Sequence, residues 1–509
     1  MASSAATEAN WPRLSEFIAE KMGLHFPPER WTDLKHGLAG ATAEFGLTDV
    51  GACVDWLLTA PLTQAQLQVL ASHLTVGETY FFREKKTFDV FGEKLLPELV
   101  RSRRGREQRL RFWSAACCTG EEPYSLAILL HLVIPDLQDW HVTILATDIN
   151  ERFLQKAAAG VYGKWSFRES PAWFKERYFQ RAGEGRYAIL PEIKKLVTFA
   201  HLNLVEDVYP SLATDTNAMD VIFCRNVLMY FAPAQAQKVV RNLRHALLDD
   251  GWLAVSPSEG SQALFSRFTA VSFPGVILYR KGDAQAGQLW TPPACVDQPN
   301  VCEPLDLRGS DIQYADLSPR EEDKSPRTTP LEESVCLEAP PTPTPLERAA
   351  SFYQQGRYAE ATEALLNSSV TRDTPSPQTF SLLARALANQ GKLADALTWC
   401  ERWVTADKLD CSGHYLRAVV SQELGDYEAA RGSLQRAIYL QPGFVLAHFA
   451  LGNLARTSGK TSEADKHFAN ALDLLRGCPL DGPLPESDGL TAGRLMEIIT
   501  SLITLKAAP

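Results

Sequence analysis

Gly120 and Asp148 lie where a parallel sheet would present them to a bound nucleoside. The segment Leu110–Ala127 joins a short apolar run, a loop of small residues and a helical pattern. Gly120 permits a turn that other residues resist, and ligands of open α/β sheets bind at such strand-to-helix loops. Because the loop lacks the Gly-x-Gly-x-x-Gly pattern, it fits a dinucleotide poorly.

Asp148 follows the next apolar run along the chain, Val142–Ala146. An acid at the end of the second strand can accept hydrogen bonds from ribose hydroxyls. It could instead cap a helix that begins near Asn150. Together with the loop at Gly120, the position favours ribose binding over a cap.

Two pairs of residues lie in this loop or at the start of the helix that follows it. Thr119 and Glu122 have the spacing of a capping box, which predicts Thr119 as the N-cap of the following helix. Cys117 and Cys118 are adjacent, but the ten cysteines include no Cys-x-x-Cys pair. We therefore expect reduced thiols, with neither a disulfide framework nor a metal site.

Residues 76–281 must supply the sheet that positions these groups. Its predicted strands are Leu110–Ser114, Val142–Ala146, Val197–His201, Val221–Cys224, Trp252–Ser256 and Val276–Tyr279. Helical patterns separate most of them, which predicts a parallel α/β sheet. The last two runs fit an antiparallel pair at one edge.

The rest of the chain divides into four further parts. Residues 1–75 have helical spacing, with Thr63 as a predicted cap, and form a helical N-terminal domain. Residues 282–345 are rich in proline and poor in large apolar residues, which predicts a flexible linker. Residues 346–477 carry a repeat, and residues 478–509 include a helix, Leu490–Leu505, expected to cap the repeats.

The repeat has a period of about 34 residues. Gly356, Gly391, Gly425 and Gly459 are 35, 34 and 34 positions apart, and an alanine follows each of them five positions later. This is the tetratricopeptide signature. It predicts an all-α solenoid of four helix pairs whose surface binds a protein partner.

Bulk composition excludes several classes of protein. The net charge of −10 argues against nucleic-acid binding, although Arg101–Arg111 is a basic run that we interpret as a solvated helix end. No apolar stretch approaches the roughly 20 residues of a membrane span, and the first residues lack a secretory signal. A cytoplasmic location is therefore expected.

Over residues about 10–281, the sequence resembles the chemotaxis receptor methyltransferases, the CheR family. Five motifs in order carry the resemblance: Gly77-Glu-Thr-Tyr-Phe-Phe-Arg83, Trp113-Ser-Ala-Ala-Cys-Cys-Thr-Gly-Glu-Glu-Pro-Tyr-Ser125, Ala146-Thr-Asp-Ile149, Leu202-Asn-Leu204 and Cys224-Arg-Asn-Val-Leu-Met-Tyr-Phe231. Gly77 stands where the family often has asparagine. Cys118 stands where serine is common.

The resemblance implies a Rossmann-like class I methyltransferase domain with S-adenosylmethionine as donor. It also implies glutamate side chains of a methyl-accepting receptor as acceptors, and a small β-subdomain at about 165–196. By motif, the residues implied in the donor pocket are Thr79, Arg83, Glu121, Asp148, Asn203, Leu204, Arg225 and Asn226. The β-subdomain hairpin looks shorter than in members that grip a receptor tail, so we predict no strong tail-peptide binding.

Arg83 and Tyr230 are the candidate catalytic residues. Arg83 could orient the incoming carboxylate through its planar fork, or it could form a surface ion pair. Tyr230 could line the transfer site or be a core tyrosine. Glu121 could instead interact with a helix dipole, and Asn203 and Asn226 could serve only as turn residues. We expect Trp165, Phe167 and Trp173 to pack in the core.

Three interpretations remain open at this level. The first is a receptor glutamate methyltransferase that its repeats target or inhibit, on a flexible tether. The second is a methyltransferase with another protein or a small molecule as acceptor. The third is a scaffold that binds through its repeats and has an inactive catalytic domain.

Overall fold

Four helices form the N-terminal domain. The computed structural model describes residues 2–282, 343–368 and 375–507, so most of the predicted linker lies outside the described residues. The helices are α1 Ala2–Met22, α2 Trp31–Glu44, α3 Val50–Thr59 and α4 Gln64–Leu74. Thr63 caps α4 as predicted, in a capping box with Gln66. Leu14, Leu34 and Leu57 are buried where the helices meet.

The chain then folds into a seven-stranded sheet with a separate three-stranded sheet beside it. The strands are β1 Arg109–Ala115, β2 His141–Asp148, β3 Val161–Gly163, β4 Phe179–Arg181, β5 Arg186–Ile189, β6 Val197–His201, β7 Met219–Phe223, β8 Leu247–Ala254, β9 Thr269–Phe273 and β10 Val276–Arg280. The large sheet has the order β6-β2-β1-β7-β8-β10-β9. Its first five strands are parallel, and β10 is antiparallel to both β8 and β9.

All six predicted strands are present, and the Rossmann-like α/β fold is confirmed. The edge strand β9 was missed because only Val271 among its five residues is buried, which leaves little hydrophobic pattern. The helices of this domain are α5 Lys85–Val90, α6 Leu96–Arg103, α7 Glu121–Val133, α8 Glu151–Ala159, α9 Ala172–Tyr178, α10 Pro191–Lys194 and α11 Pro233–Ala246. A π-helical segment, Phe91–Leu95, joins α5 to α6.

The three-stranded sheet has the order β3-β5-β4 and contains the predicted hairpin. The expectation that its aromatic residues all pack in the core is wrong for two of them. Phe167 is buried against Phe81, but Trp165 is 65% exposed and Trp173 is 36% exposed. The Trp165 ring instead lies against the guanidinium of Arg168, 4.3 Å from ring centre to Cζ.

Within the described residues, eight helices form the repeats, in four pairs as predicted. They are α12 Pro345–Gln354, α13 Tyr358–Leu366, α14 Pro377–Asn389, α15 Leu393–Ala406, α16 Cys411–Glu423, α17 Tyr427–Leu440, α18 Val445–Thr457 and α19 Thr461–Leu475. The four repeat glycines lie between the helices of each pair with φ between +70° and +83°. An L side chain resists this left-handed conformation, which explains why glycine recurs at these positions.

The repeats pack directly against the sheet domain. Glu423 of α16 is 4% exposed, and it lies 3.3 Å from Nη2 of Arg109 and 3.4 Å from Nη1 of Arg111. Both arginines are on β1 and are buried, so the interpretation of this basic run as a solvated helix end is wrong for them. The repeat domain supplies the missing negative charge, which buried arginines require.

A second contact lies within the C-terminal part. Arg385 of α14 is ion-paired with Glu486 and Asp488, at 2.7 and 2.8 Å, and Tyr353 of α12 donates to Asp488 at 3.3 Å. The segment 484–489 therefore covers the first helices of the first two pairs. We call the surface formed by Tyr353, Arg385 and Glu423 the inner face of the repeats.

The last helix, α20 Ala492–Ala507, contacts α19 but also β6 and α8. It therefore adds to the sheet domain as well as ending the repeats. These contacts differ from the expectation of repeats held only by a flexible tether. Within the described ranges, no helix has the length and hydrophobicity that crossing a membrane requires.

Candidate active site

A cavity lies where the carboxyl ends of β1, β2, β6 and β7 face the N-terminal domain. It contains about 1070 Å³ of non-atom space, including its open mouth. Loops after these four parallel strands contribute to its wall, as expected for an open α/β sheet.

The loop after β1 is held in an unusual backbone conformation. Ala116, Cys118 and Gly120 have φ of 65°, 51° and 93°. A side chain at Gly120 would place its Cβ 2.8 Å from Cβ of Ala157, so glycine is required there for both conformation and space. The strained loop brings its backbone to the cavity, as a close-fitting ligand would require.

Asp148 anchors this loop to the end of β2. Its Oδ2 accepts from the Cys118 amide at 2.8 Å, and its Oδ1 accepts from the Asn150 amide at 2.9 Å. The helix cap is Asn150, whose side chain accepts from Arg152 and Phe153, so Asp148 is not needed for capping. Burial raises the pKa of Asp148 from 3.8 to about 6, which leaves a mostly ionised acceptor at neutral pH.

Eight of the nine site residues predicted from the sequence line this one cavity. They are Thr79, Arg83, Asp148, Asn203, Leu204, Arg225, Asn226 and Tyr230. Glu121 lies outside it, where its carboxylate accepts from Thr119 at 2.6 Å and from Ser166 at 2.9 Å. The neighbouring Glu122 lines the cavity instead.

The predicted capping box at this helix is wrong. Gly120 is the N-cap, and it offers no side chain to the helix amides. Thr119 donates to Glu121, while Glu122 accepts from Ser114 at 2.7 Å and from Arg225 at 3.1 Å. Glu122 faces the cavity because it pairs there with the buried guanidinium of Arg225, which requires a negative partner.

Arg225 lies in the cavity wall between two carboxylates. Its guanidinium donates to Glu122 at 3.1 Å, to Glu84 at 2.9 Å and to the carbonyl of Arg83. The Phe88 ring centre lies 5.2 Å from its Cζ. Its Nε is buried and has no hydrogen-bond partner among the described residues. Arg225 therefore keeps one unsatisfied donor on a residue that lines the cavity.

Sequence reasoning missed Glu259, which organises the loop after β7. Its carboxylate accepts from the amides of Ser256, Asn226 and Val227 at 3.0, 2.8 and 2.7 Å. Asn226 is thereby held at φ 57°. Ser256 and Glu259 form a capping box, so their spacing was the available signal.

The N-terminal domain contributes part of the wall, and the sequence did not reveal this. His25, Phe26 and Arg30 line the cavity. The Arg30 guanidinium lies 5.6 Å from the Tyr230 ring centre, and the His25 amide donates to the Tyr230 carbonyl at 2.7 Å. Tyr230 therefore joins the two domains at the cavity. These contacts depend on tertiary structure and have no signature in local spacing.

Arg83 lies at the cavity wall, half-buried, and one of its Nη atoms donates to the carbonyl of Glu78. No described ion pair engages its guanidinium, so the ion-pair alternative is not what the structure shows. The adjacent thiols are not suited to nucleophilic attack. Burial raises the pKa of both Cys117 and Cys118 above the usual range, which keeps them neutral.

These groups match the chemistry of S-adenosylmethionine. The carboxylate of Asp148 can accept from ribose hydroxyls, and the free Nε of Arg225 can donate to a carboxylate. Leu204 and Val227 offer apolar surface for a planar base. The residues present therefore fit that donor.

Comparison with known proteins agrees with this geometry. The family model for the CheR methyltransferase SAM-binding domain matches residues 77–275. A tetratricopeptide repeat model matches residues 346–410 and 415–477. Both matches fall on the parts that the structure describes as sheet domain and helix pairs.

Curated relatives extend the match. Chemotaxis protein methyltransferase 1 of Pseudomonas aeruginosa is 35% identical over 285 residues, which cover 54% of this chain and 99% of that protein. Chemotaxis protein methyltransferase 2 of Vibrio cholerae is 35% identical over 208 residues, covering 41% and 70%. The probable biofilm formation methyltransferase WspC of Pseudomonas aeruginosa is 28% identical over 389 residues, covering 76% and 81%. The chain therefore belongs to the CheR family of chemotaxis protein methyltransferases, with S-adenosylmethionine as its methyl donor and tetratricopeptide repeats at its C-terminal side.

Proposed function

We propose that the protein esterifies glutamate side chains on the cytoplasmic signalling helices of a methyl-accepting receptor. The observation that carries this proposal is the pairing of an anionic donor site at Asp148 with the cationic side chain of Arg83 on the wall of the same cavity. The first group suits ribose hydroxyls, and the second suits an incoming carboxylate. Membership of the family supports the same acceptor.

This chemistry needs positioning rather than a base. A glutamate side chain with a pKa of about 4.3 is already ionised at neutral pH. The bound donor supplies an electrophilic methyl group on a sulfonium. The protein must align the attacking oxygen with that methyl group, and good alignment alone can be worth roughly 7–11 kcal/mol.

Arg83 and Tyr230 are proposed to receive the acceptor. Among the described residues, the Arg83 guanidinium donates to the Glu78 carbonyl and makes no ion pair, whereas two carboxylates already engage Arg225. Tyr230 is fixed by the N-terminal domain through His25 and Arg30, so its ring can define one side of the transfer site. Glu122 takes the donor-contact role that the resemblance assigned to Glu121.

The remaining proposals concern place and partners. We propose a cytoplasmic location, because a receptor's signalling helices lie there. The repeats are proposed to bind a protein of the same pathway, and the short β4–β5 hairpin is proposed to give no strong binding of a receptor tail peptide. Because the match to WspC spans both the catalytic and repeat parts, a receptor that controls biofilm formation is one candidate substrate.

The test is transfer of labelled methyl from S-adenosylmethionine to purified cytoplasmic fragments of candidate receptors. We expect label that is released by mild base, as esters require, and that is lost when the receptor's acceptor glutamates are changed to alanine. Arg83→Ala should lower the rate, whereas Arg101→Ala, at an exposed arginine of α6, should not. Base-stable label, or label on a small molecule alone, would refute the proposed acceptor.

A further inference from the structure

Arg494, on the helix that follows the repeats, reaches the support of the donor cavity. It is 5% exposed, although arginine is rarely buried without partners. Its Nη1 lies 2.9 Å from Nδ1 of His201, and its Nη2 donates to the His201 carbonyl at 3.3 Å. Its Nε lies 3.1 Å from a carboxylate oxygen of Glu206. Two hydrogen bonds and one ion pair therefore join a single guanidinium to two residues of the sheet domain.

Those two residues bracket a segment that lines the cavity. Leu202, Asn203 and Leu204 lie between His201 and Glu206, and all three face the donor site. Glu206 accepts from the Asn203 side-chain amide at 3.1 Å through its other oxygen. Arg494 therefore acts on Asn203 through Glu206, and it does not itself line the cavity.

The contact continues from His201 to the end of β2. Burial and the nearby Arg494 lower the pKa of His201 well below its usual range, so the ring is neutral. With Nδ1 accepting from Arg494, Nε2 carries the proton, and it lies 3.0 Å from the Ile149 carbonyl oxygen and 2.6 Å from the side-chain nitrogen of Gln68. Ile149 also lines the cavity and directly follows Asp148.

The charges around Arg494 fix its position. Glu497, on the same helix, lies 2.6 Å from its Nη1, and Glu206 faces it from the loop after β6. Glu151 of α8 adds a more distant negative charge. A planar fork that serves several partners in fixed directions holds them in one arrangement, which a flexible ammonium would not.

We propose that Arg494 is a positioning residue for the methyl donor, and that the C-terminal helix is thereby a structural part of the donor site. Arg494 holds the segment 202–204 against the cavity through His201 and Glu206. The residue lies beyond the part matched by the SAM-binding family model, residues 77–275. This role rests on the donor site described above.

The test uses the full chain and S-adenosylhomocysteine, the donor's product form, as the calorimetric probe. Arg494→Ala should raise its Kd about tenfold, within the range typical of coupling between sites. The KM for S-adenosylmethionine should rise similarly, while kcat at saturating donor stays within about twofold. Arg494→Lys keeps the charge without the fork and should give an intermediate Kd.

The matched control is Arg431→Ala, which breaks an ion pair with Glu463 inside the repeats. Its Kd should equal that of the wild type. Equal binding by wild type and Arg494→Ala would overturn the role of Arg494 while leaving the donor site intact. If Arg494→Ala does not fold, wild-type affinity in Arg494→Lys would overturn it instead. Absence of binding by the wild type itself would overturn the donor site.

Discussion

Replacing Asp148 by asparagine should stabilise the ligand-free protein and abolish donor binding. Asp148 is 6% exposed, and burial raises its pKa from 3.8 to about 6. A raised pKa in the folded state means that this group's stabilising contribution is present below pH 3.8 and is lost as the pH rises through about 6. At neutral pH the buried carboxylate therefore weakens the fold.

The size of the effect follows from the two pKa values. Their difference corresponds to about 3 kcal/mol near pH 7.5 and about 1.6 kcal/mol near pH 5. Asparagine carries no charge, but its single oxygen cannot accept from both the Cys118 and Asn150 amides. Leaving one of them unpaired costs about 1–2 kcal/mol. The net gain near pH 7.5 is then about 1–2 kcal/mol.

The assay is thermal unfolding of Asp148→Asn and wild type, with and without S-adenosylhomocysteine. Near pH 7.5 the variant's Tm should be higher by roughly 2–8 °C, and the difference should disappear or reverse near pH 5. Ligand at about 100 times its Kd should stabilise the wild type by about 2.7 kcal/mol and leave the variant unchanged.

Two results would refute the reasoning. A variant that is less stable than wild type by the same amount at both pH values would show that hydrogen bonding, not charge burial, governs this position. A variant that the ligand still stabilises fully would show that the Asp148 carboxylate does not bind the donor.

Further predictions concern the interface and the loops of the site. Glu423→Ala should destabilise the protein by about 3–5 kcal/mol, because it leaves Arg109 and Arg111 buried without their partner, and calorimetry should show this loss while Glu401→Ala, at an exposed position, shows none. Glu259→Gln should lower kcat/KM for S-adenosylmethionine by about 10–100-fold in steady-state assays, since it removes an acceptor from the amides after β7, and wild-type kinetics would contradict that role. Arg83→Lys should lower methyl transfer to receptor fragments with little change in calorimetric donor affinity, whereas an equal loss of affinity would assign Arg83 to the donor alone. Donor affinity should fall as the pH decreases through about 6, because ribose hydroxyls need the ionised Asp148, and a flat calorimetric profile between pH 5 and 8 would contradict this.

Much of the sheet domain could be predicted because its signals are local. Each buried parallel strand reads as an apolar run, and the polar residues directly after those runs must meet at one edge of the sheet. It predicted that Asp148, Asn203 and Asn226 lie close together, and all three line one cavity. The repeat period did the same for the helix pairs, because each glycine marks a turn that needs positive φ.

The residues that were missed depend on contacts between distant parts of the chain. Arg30 reaches Tyr230 only after the N-terminal domain has packed over the sheet, and Arg494 reaches His201 only after the C-terminal helix has docked. Arg109 was wrongly predicted to be exposed to solvent, because its ion-pair partner Glu423 is more than 300 residues away in the sequence. Adjacent identical residues are also hard to separate, as Glu121 and Glu122 show: a rotation of about 100° between successive helical residues decides which one faces the cavity.

The covered inner face of the repeats has a consequence for any protein that uses it. A ligand for Tyr353 and Arg385 competes with Glu486 and Asp488, which the chain supplies to itself at high effective concentration. A ligand that also reaches Glu423 must displace Arg109 and Arg111 of β1. Its apparent affinity falls by the fraction of molecules in which that surface is vacant. A successful competitor must match two acidic side chains two positions apart in sequence. By reciprocity, whatever loosens the C-terminal segment would also raise the affinity of the repeats for such a competitor.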